Sequence, residues 1–443
     1  MLVMDKIFGG IIIPLSYYIR GDIRFQYFKK YKNHLNKSRE YIEAFQLMRL
    51  KKLIKHAYDT VPYYRELFDK CGLKPGHIRT VNDLKKIPIL DKNTILKNIE
   101  RLKSSKPYKL TEYCSGGTTG SRVVVFKDKR YEQISRAVWM RDLYSRGIEV
   151  GRKSAWIWAA ELDTLPLKEK LLHRLLWRIN RRIIFNPFKF TEAQLEKWLL
   201  NDFNKFRPDY LIGYSGPIYE IAKFIDKNKI DIHPLKKIMS TAEPLEHREF
   251  IEKVFKCKVV NHYGCREITT IAIEDENHVM RTSDDFVIVE VGKNNQIILT
   301  PLESYGMPLL RYVNGDMGAA LSKIRKIKSK SPFKQFNLVV GRLSDYLINK
   351  NNEKVMGPLI AHFVGEKKLT IGEFQLVQKS LKDVELNIVR DSACTEKDIN
   401  EFKKMIKNIL GNPKITINYL DKFPVEKNGK RIYYKCMIKH KIL

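Results

Sequence analysis

Residues 209–264 read DYLIGYSGPIYEIAKFIDKNKIDIHPLKKIMSTAEPLEHREFIEKVFKCKVVNHYG, and in this stretch short apolar runs alternate with longer amphipathic segments. The runs DYLIGYS, LKKIMST and KVVNHYG have the length and composition of strands, whereas the segments between them carry apolar residues at helical spacing. Strands that alternate with helices form βαβ units, whose strands lie parallel in one sheet. The stretch therefore predicts an α/β fold that contains a parallel sheet.

The regions on either side add further elements to this core. Upstream, residues 38–58 place apolar side chains three and four positions apart, which predicts an amphipathic helix within a mainly helical first hundred residues. Downstream, residues 284–302 contain two apolar runs joined by the polar turn KNNQ, which is typical of a hairpin. The strands expected at 374–377, 385–389 and 415–419, with a helix at 396–409, indicate a small α+β unit at the C-terminus.

The length of 443 residues is too great for one ordinary domain. We therefore predict a large N-terminal domain of mixed sheets and helices over residues 1–343 and a small, mobile α+β C-terminal domain over residues 344–443. The boundary falls between two polar turns. No internal repeat divides the chain further.

The formal net charge of +32 favours anionic partners. Three classes fit: nucleic acids, anionic membrane surfaces and phosphorylated small molecules. Basic residues are spread along the whole chain, and the sequence has no zinc-finger, RNP-type or basic-zipper motif, so we expect no nucleic-acid partner. The six cysteines form neither a CxxC motif nor a dense framework, which favours the reducing cytoplasm.

The N-terminus carries the apolar run IFGGIIIPLSYYI at 7–19, followed by the basic run RGDIRFQYFKKYKNH. The apolar run is shorter than the roughly 20 residues that a membrane span needs. Two interpretations remain open. Residues 1–35 form either an interface segment that contacts the inner face of the cell membrane through residues 7–32, or a packed N-terminal helix.

Within YCSGGTTGSRVVVFKD at 113–128, a glycine-rich stretch, SGGTTGS at 115–121, precedes a β-branched run. Backbone N–H groups of such a loop can close on a phosphate, and its hydroxyls add donors without bulk. The lysine of the P-loop signature is missing, since Gly120 is followed by Ser121 and Arg122, and the dinucleotide fingerprint does not match either. By itself the loop is either a phosphate cradle or an ordinary tight turn.

Five motifs in order resemble those of the acyl-adenylate-forming enzyme superfamily: SGGTTGS at 115–121, HYGCRE at 262–267, RYVNGDMG at 311–318, VVGRLSDYL at 339–347 and PVEKNGKR at 424–431. Two further stretches, AYDTVPYYRELFDKCGLKPGHIRTVNDLKKIPILDK at 57–92 and STAEPL at 240–245, are similar to the phenylacetate–CoA ligase branch and its CapK-like members, which are associated with surface polysaccharide biosynthesis. The resemblance extends over roughly residues 40–435.

The resemblance implies a two-step ligase reaction that uses ATP and Mg²⁺. A small-molecule carboxylate attacks the α-phosphorus of ATP to give an acyl-adenylate and pyrophosphate, and a thiol or amine then takes the acyl group. The acceptor is CoA or an amine or sugar, in the second case as part of polysaccharide synthesis. Because both reactants of the first step are anions, cations and hydrogen-bond donors around the phosphates must offset their repulsion.

The resemblance also assigns roles to individual residues. It implies phosphate binding by Ser115, Gly116, Gly117, Thr118, Thr119 and Gly120, nucleotide-pocket contacts by Ala242, Glu243, Pro244, Tyr263 and Gly264, ribose binding by Asp316, a ribose or phosphate contact by Arg342, Mg²⁺ binding by Glu267, and stabilisation of charge at the α-phosphate by Lys430.

Three positions depart from the family pattern: Arg266 replaces a small hydroxyl residue, Ser344 replaces the hinge aspartate, and Tyr433 stands where arginine is common. The zinc-site cysteines that some relatives carry after the YG motif are also missing from residues 271–285, so we expect no zinc there. Taken singly, the NGD triplet at 314–316 is typical of a β-turn, Glu267 of a solvated helix residue and EKNGKR of a hairpin turn. The departures keep a second function open, a catalytically altered scaffold or binding protein of a membrane-associated biosynthetic complex. The sequence indicates neither the acid nor an oligomeric state.

Overall fold

The computed structural model describes residues 2–114, 123–158, 167–187, 190–243, 245, 247–292, 296–319, 329, 331–340, 346–351, 354–356, 360, 364, 367, 369–390, 394–422 and 433–438. The described residues fall into two compact units. The first consists of parts of Met1–Cys114, Val123–Gly151 and Val260–Gly341, and the second of parts of Arg152–Val259 and Arg342–Leu443. The domain limits at residues 343 and 344 stay a prediction.

The helices of the described residues are Leu2–Ile7 and Ile13–Ile19 with the π-helical turn Phe8–Ile12 between them, Arg24–Lys32, Arg39–Thr60, Pro62–Lys70, Lys92–Lys97, Lys129–Ser145, Leu167–Ile179, Glu192–Lys197 and Asn204–Phe206 with the π-helical turn Trp198–Phe203 between them, Ser215–Asn228, Arg248–Phe255 and Glu396–Leu410.

The strands of the described residues are β1 (Leu110–Cys114), β2 (Val124–Asp128), β3 (Ser154–Ile157), β4 (Arg182–Phe185), β5 (Tyr210–Tyr214), β6 (Lys237–Thr241), β7 (Lys258–Tyr263), β8 (Ala272–Glu274), β9 (Met280–Thr282), β10 (Val287–Val291), β11 (Gln296–Pro301), β12 (Tyr312–Ala319), β13 (Gln335–Val340), β14 (Tyr346–Ile348), β15 (Lys354–Met356), β16 (Gly372–Ser380), β17 (Asp383–Arg390), β18 (Lys414–Tyr419) and β19 (Tyr434–Cys436).

Local sequence signals explain where several helices begin and end. The side chains of Ser38 and Asp128 accept hydrogen bonds from the first turns of the helices Arg39–Thr60 and Lys129–Ser145. Thr395 forms a capping box with Asp398 at the start of the helix Glu396–Leu410, and Gly411 ends that helix at a φ of 87°. These caps are local signals that mark where the helices begin or end.

The first unit is built on antiparallel pairing. β1 pairs with β2, and a sheet in the order β10-β11-β12-β13-β9-β8 continues through the pairing of β8 with Tyr263 at the end of β7. The hairpin predicted at 284–302 is confirmed, since β10 and β11 pair antiparallel. The core of the first unit is formed by two apolar clusters, one around Leu53 and Tyr312 and one around Tyr263 and Phe286.

The second unit contains the parallel sheet that the alternating stretch predicts. β4, β3, β5 and β6 lie in that order, and every neighbouring pair is parallel. The helices Ser215–Asn228 and Arg248–Phe255 pack apolar side chains such as Ile221 and Phe255 against Leu211 and Ile238 of the strands. The predicted α/β fold class is therefore confirmed.

The C-terminal part of the chain forms an α+β arrangement, as predicted from its pattern. β18, β17, β16 and β19 make one sheet, and the helix Glu396–Leu410 packs Phe402 against Phe374 of β16, with ring centroids 4.8 Å apart. β14 pairs antiparallel with β15.

The N-terminal helix packs on one side and is exposed on the other. Ile13 is buried, and Gly9 approaches the backbone of Val150 and Gly151 so closely that a Cβ on Gly9 would lie 2.3 Å from the carbonyl oxygen of Val150. The packed-helix interpretation is thus correct for one face. Within the part of the chain that the structure describes, none of the helices has the length and apolar character required to traverse a bilayer.

Candidate active site

Two predicted site residues of the first unit meet directly. Tyr263 ends β7 and Asp316 lies in β12, and the Tyr263 hydroxyl donates a hydrogen bond of 2.8 Å to Oδ2 of Asp316. The Asn314 amide nitrogen donates to both groups at 2.7 Å. The three side chains form a closed hydrogen-bonded cluster, so the carboxylate that the resemblance assigns to ribose has a fixed orientation.

The NGD triplet lies in a β-bulge rather than in a β-turn. Gln296 of β11 pairs with Met317, whereas Ile298 pairs with Val313, so β12 places residues 314–316 opposite a single residue of β11. Gly315 has a φ of 90° there, a conformation that glycine adopts without strain. Bulges redirect side chains beside functional sites, and this one places Asn314 and Asp316 against Tyr263.

Glu267 is buried in the turn after β7, with 5% of its surface exposed. The hydroxyl of Tyr312, from β12, donates to its Oε1 over 2.9 Å. The alternative of a solvated helix residue is therefore wrong. Strand β12 serves both predicted functions, since Tyr312 holds the carboxylate assigned to Mg²⁺ and Asp316 is the carboxylate assigned to ribose.

The turn that carries Glu267 is unusually tight. A Cβ on Gly264 would lie 2.1 Å from the carbonyl oxygen of Thr269, so this position requires glycine. The Thr269 amide donates to the carbonyl of Cys265 over 2.7 Å, and Thr269 has a φ of 90°. For a β-branched residue such a φ costs roughly 1–3 kcal/mol, and strain of this kind concentrates at functional sites.

Lys127 stabilises the same turn, although no sequence motif indicated this role. Its side chain is 4% exposed, and its ammonium donates to the carbonyl oxygen of Arg266 at 2.7 Å and to Oγ1 of Thr269 at 3.1 Å. It also lies 4.4 Å from the ring centroid of Tyr113 in β1. Burial lowers the pKa of Lys127 to about 8.

The position of Lys127 could have drawn attention to it. It lies in β2, directly after the glycine-rich stretch, where the apolar run VVVF meets a lysine and an aspartate. A charged residue in such a run is either solvent-facing or buried with partners, and only the tertiary contacts distinguish the two.

A buried chain of polar groups lies behind Tyr263. The ring of His262, the residue before Tyr263, makes a 2.9 Å hydrogen bond with Thr270, whose hydroxyl donates to Oδ2 of Asp142 over 2.6 Å. Ser283 donates to the same oxygen over 2.9 Å. Burial lowers the pKa of His262 to about 4 and raises that of Asp142, so the histidine is neutral at physiological pH.

Arg141, which pairs with Asp142, and Asp285 continue this chain and are fully buried. Arg141 donates two hydrogen bonds of 3.0 Å to the carboxylate of Asp285, and His34 makes a third contact with it at 2.8 Å. Burial acts against ionisation of Asp285, but Arg141 and His34 outweigh it and lower the pKa of its carboxyl. The network fixes the strand residues that carry Tyr263.

Two predicted nucleotide-pocket residues lie in the second unit, directly after β6. Oε2 of Glu243 accepts a 2.6 Å hydrogen bond from the backbone amide of Gly216, at the first turn of the helix Ser215–Asn228. A carboxylate is stabilised there by the unpaired amides and by the helix dipole. Ala242 has a φ of 68°, an uncommon conformation for a residue other than glycine.

The remaining predicted site residues lie outside the described residues, so their roles stay predictions. They are Ser115, Gly116, Gly117, Thr118, Thr119 and Gly120 of the glycine-rich loop, Pro244, Arg342 and Lys430.

Within the described residues, no group of three or more histidine, cysteine, aspartate or glutamate side chains is arranged to hold a metal ion. Glu267 supplies a single buried carboxylate instead. Mg²⁺ at nucleotide sites binds through one or two carboxylates and the substrate phosphates, so this donor fits that ion.

Comparison with known proteins places the chain in a family. It is 37% identical over 406 residues to the phenylacetate-coenzyme A ligase of Escherichia coli (strain K12), which covers 84% of this chain and 89% of that protein. The chain belongs to the phenylacetate–coenzyme A ligase family. The enzyme is accordingly an AMP-forming ligase of the acyl-adenylate type.

Other relatives of the ligase support this assignment. It is 25% identical over 432 residues to Protein CapK of Staphylococcus aureus, with 93% of this chain and 94% of that protein covered. A family model described as the CapK C-terminal domain matches residues 347–439. The recognition of a CapK-like, phenylacetate–CoA ligase-like sequence is confirmed.

Solved structures confirm the fold of the ligase. The structure of 2-hydroxyisobutyryl-CoA ligase with 2-HIB-AMP and CoA in the thioesterification state has a TM-score of 0.58 at 16% identity, with 91% of each chain covered. An open conformation of the same ligase with the same ligands has a TM-score of 0.52 at 16% identity and covers 88% of this chain and 90% of that one.

Proposed function

We propose that the enzyme uses ATP to convert a small carboxylic acid into an acyl-adenylate and then transfers the acyl group to coenzyme A. Family membership supports the ligase chemistry, and the names of the curated relatives support CoA as the acceptor. The observation that carries the proposal is the arrangement of β12, which brings Tyr312 to Glu267 and Asp316 to Tyr263.

The first step needs a nucleotide held at its base, ribose and phosphates. In our proposal the Tyr263 ring, which stacks on Phe336 with centroids 6.0 Å apart, contacts the adenine, and Asp316 accepts hydrogen bonds from the ribose hydroxyls. The hydroxyl of Tyr263 and the amide of Asn314 already fix that carboxylate, so less side-chain freedom is lost when ATP binds. Ala242, Glu243, Pro244 and Gly264 complete the adenine pocket in this proposal.

The phosphates need charge compensation. Glu267 is the residue proposed to hold Mg²⁺, which when bound neutralises charge on the phosphate oxygens. Tyr312 orients the Glu267 carboxylate, and Lys127 holds the turn on which it lies. The loop residues 115–120 donate to the phosphates in this proposal, and Arg342 contacts ribose or phosphate.

The chemistry is a pair of displacements. A carboxylate oxygen of the acid bonds to the α-phosphorus of ATP while the bond from that phosphorus to the pyrophosphate oxygen breaks. The CoA thiolate then attacks the acyl carbon, and AMP leaves with the electron pair of the broken carbon–oxygen bond of the mixed anhydride. Lys430 is proposed to stabilise charge at the α-phosphate in the first step, from a mobile C-terminal domain over 344–443.

An amine or sugar of a polysaccharide precursor is a second candidate acceptor. The match of residues 347–439 to the CapK C-terminal domain favours it, because the C-terminal domain is the part that we propose to move between adenylation and transfer. With this acceptor the product is an amide or ester instead of a thioester.

Two assays test these proposals. Carboxylate-dependent exchange of pyrophosphate into ATP, measured over a panel of acids, reports the first step for either acceptor. Mass spectrometry of products formed with CoA or with amino sugars then identifies the second substrate. If no acid supports exchange and ATP produces no thermal shift, the scaffold alternative is favoured.

The role of Lys430 can be tested within its own motif. Lys430→Ala is expected to abolish pyrophosphate exchange and to leave transfer from a supplied acyl-adenylate largely intact. Lys427→Ala, three residues earlier in PVEKNGKR, is the matched control and should retain exchange. Equal loss of both steps in Lys430→Ala contradicts the assigned role.

A further inference from the structure

The N-terminal helix over residues 2–19 presents an apolar face to solvent that the ligase chemistry does not use. Seven large apolar side chains along it are exposed by 37–74% of their surface: Val3, Met4, Ile7, Ile11, Leu15, Tyr18 and Ile19. Most of them follow one another at spacings of three and four, so they share one side of the helix. A contiguous exposed apolar surface of this kind is typical of an interaction site.

The opposite side of the helix is anchored to its own unit. Ile13 and Asp5 are buried, and a Cβ on Gly151 would lie 2.4 Å from the backbone nitrogen of Gly9. Such a close approach of two backbones holds the helix against the unit. The exposed face is therefore a fixed surface feature of the first unit.

The segment that carries this face is rich in basic residues. Within residues 2–37 the acidic residues are Asp5, which is buried, and Asp22, which pairs with Arg24. The basic residues of the same segment are Lys6, Arg20, Arg24, Lys29, Lys30, Lys32 and Lys37. Lys6 and Arg20, near the two ends of the helix, are exposed, as are Lys29 and Lys30.

We propose that this face binds the interface of an anionic lipid bilayer, with the helix lying along the surface. A helix of this length spans only about 27 Å, and an apolar stripe flanked by cations is the pattern of interfacial helices. Each exposed cation gains energy from anionic headgroups, and the apolar side chains enter the boundary with the acyl chains. Two copies of this face would bring their basic residues together, so charge complementarity favours lipid over self-association.

The binding test uses the full chain with vesicles of phosphatidylcholine alone or of phosphatidylcholine with phosphatidylglycerol. We expect co-sedimentation with the anionic vesicles at low salt, at least about tenfold tighter than with neutral vesicles, and weakening as salt rises. Absence of binding to anionic vesicles at low salt overturns the proposal.

Substitutions on the helix test whether its exposed apolar face is the part that binds the vesicles. Ile11→Glu and Leu15→Glu, at positions 61% and 52% exposed, should each lower vesicle affinity about tenfold or more while leaving pyrophosphate exchange in solution unchanged. Met48→Glu, at a position 41% exposed on the helix Arg39–Thr60, is the matched control and should bind vesicles normally. Equal loss of affinity in the control overturns the assignment of the face.

Analytical sedimentation of the protein without lipid tests whether a second copy of the chain, rather than a bilayer, covers this face. A monomer that binds anionic vesicles supports the proposal. A dimer that Ile11→Glu dissociates, together with no vesicle binding, makes the face an interface between copies of the chain and overturns it.

Discussion

Replacing Lys127 by Met removes a cation that is buried under the turn carrying Glu267. In the wild-type protein burial holds the pKa of Lys127 at about 8, whereas an unfolded chain has a lysine pKa of about 10.4. Between these values the unfolded state binds more protons than the folded state, so stability rises with pH. Methionine fills similar space without a titrating group, so the variant loses this dependence.

The magnitude follows from the two pKa values. Because Lys127 loses its proton at a lower pH in the folded state than in the unfolded state, the free energy of unfolding of the wild type should rise by about 2–3 kcal/mol between pH 7 and pH 10. The variant also removes the two part-buried hydrogen bonds from Lys127 to the Arg266 carbonyl and the Thr269 hydroxyl, which costs roughly 0.5–1.5 kcal/mol for each bond at either pH. The difference in stability between wild type and Lys127→Met should therefore widen by about 2–3 kcal/mol on going from pH 7 to pH 10.

Urea unfolding of both proteins at pH 7 and pH 10, followed by circular dichroism, measures this difference directly. Other groups that titrate in this range do so in both proteins and largely cancel in the comparison. Lys129→Met, at an exposed position two residues away, is the matched control and should leave the pH dependence as in wild type. A difference between wild type and Lys127→Met that stays constant from pH 7 to pH 10 would refute the assignment of a buried cation.

Three further substitutions test the site and its support. Tyr263→Phe removes the hydroxyl that holds the NGD carboxylate, and AMP affinity measured by calorimetry should fall about fivefold to tenfold, since one hydrogen bond contributes about 1 kcal/mol. Gly264→Ala places a methyl group 2.1 Å from the Thr269 carbonyl, so the turn must move and pyrophosphate exchange should fall at least about tenfold. Arg141→Met leaves the Asp285 charge buried without its bidentate partner, and chemical unfolding should show a loss of about 3–5 kcal/mol.

The first two variants have a clear contrary outcome, and the third has a matched control. Unchanged AMP affinity in Tyr263→Phe would contradict the role of its hydroxyl. Gly10→Ala adds a methyl group that meets no atom beyond its own stretch of helix within 4 Å, so activity that falls as much as in Gly264→Ala would refute the steric explanation. For Arg141→Met the control is Lys55→Met, which breaks an exposed pair with Asp59 and should cost at most about 1 kcal/mol.

Features that depend on neighbouring residues could be predicted from the sequence. The parallel sheet, the hairpin and the C-terminal α+β arrangement follow from the period of apolar residues, and the ends of the helix Arg39–Thr60 follow from Ser38 at its start and Pro62 after its end. These signals act over a few residues, because capping and strand alternation are local. The order of the motifs also carried the family assignment without any coordinates.

Contacts between distant residues required the tertiary structure. Lys127 is 139 residues from the carbonyl it holds at Arg266, and Arg141 is 144 residues from Asp285. The bulge that directs Asp316 at Tyr263 depends on how β12 pairs with β11, which a strand pattern does not specify. The spacing of apolar residues thus determined the elements, and the resemblance of the motifs to a known family indicated the ligase chemistry. Whether a lysine or an arginine is buried, and which carboxylate it holds, was decided by packing, because a charge leaves water only where distant parts of the chain supply its partners.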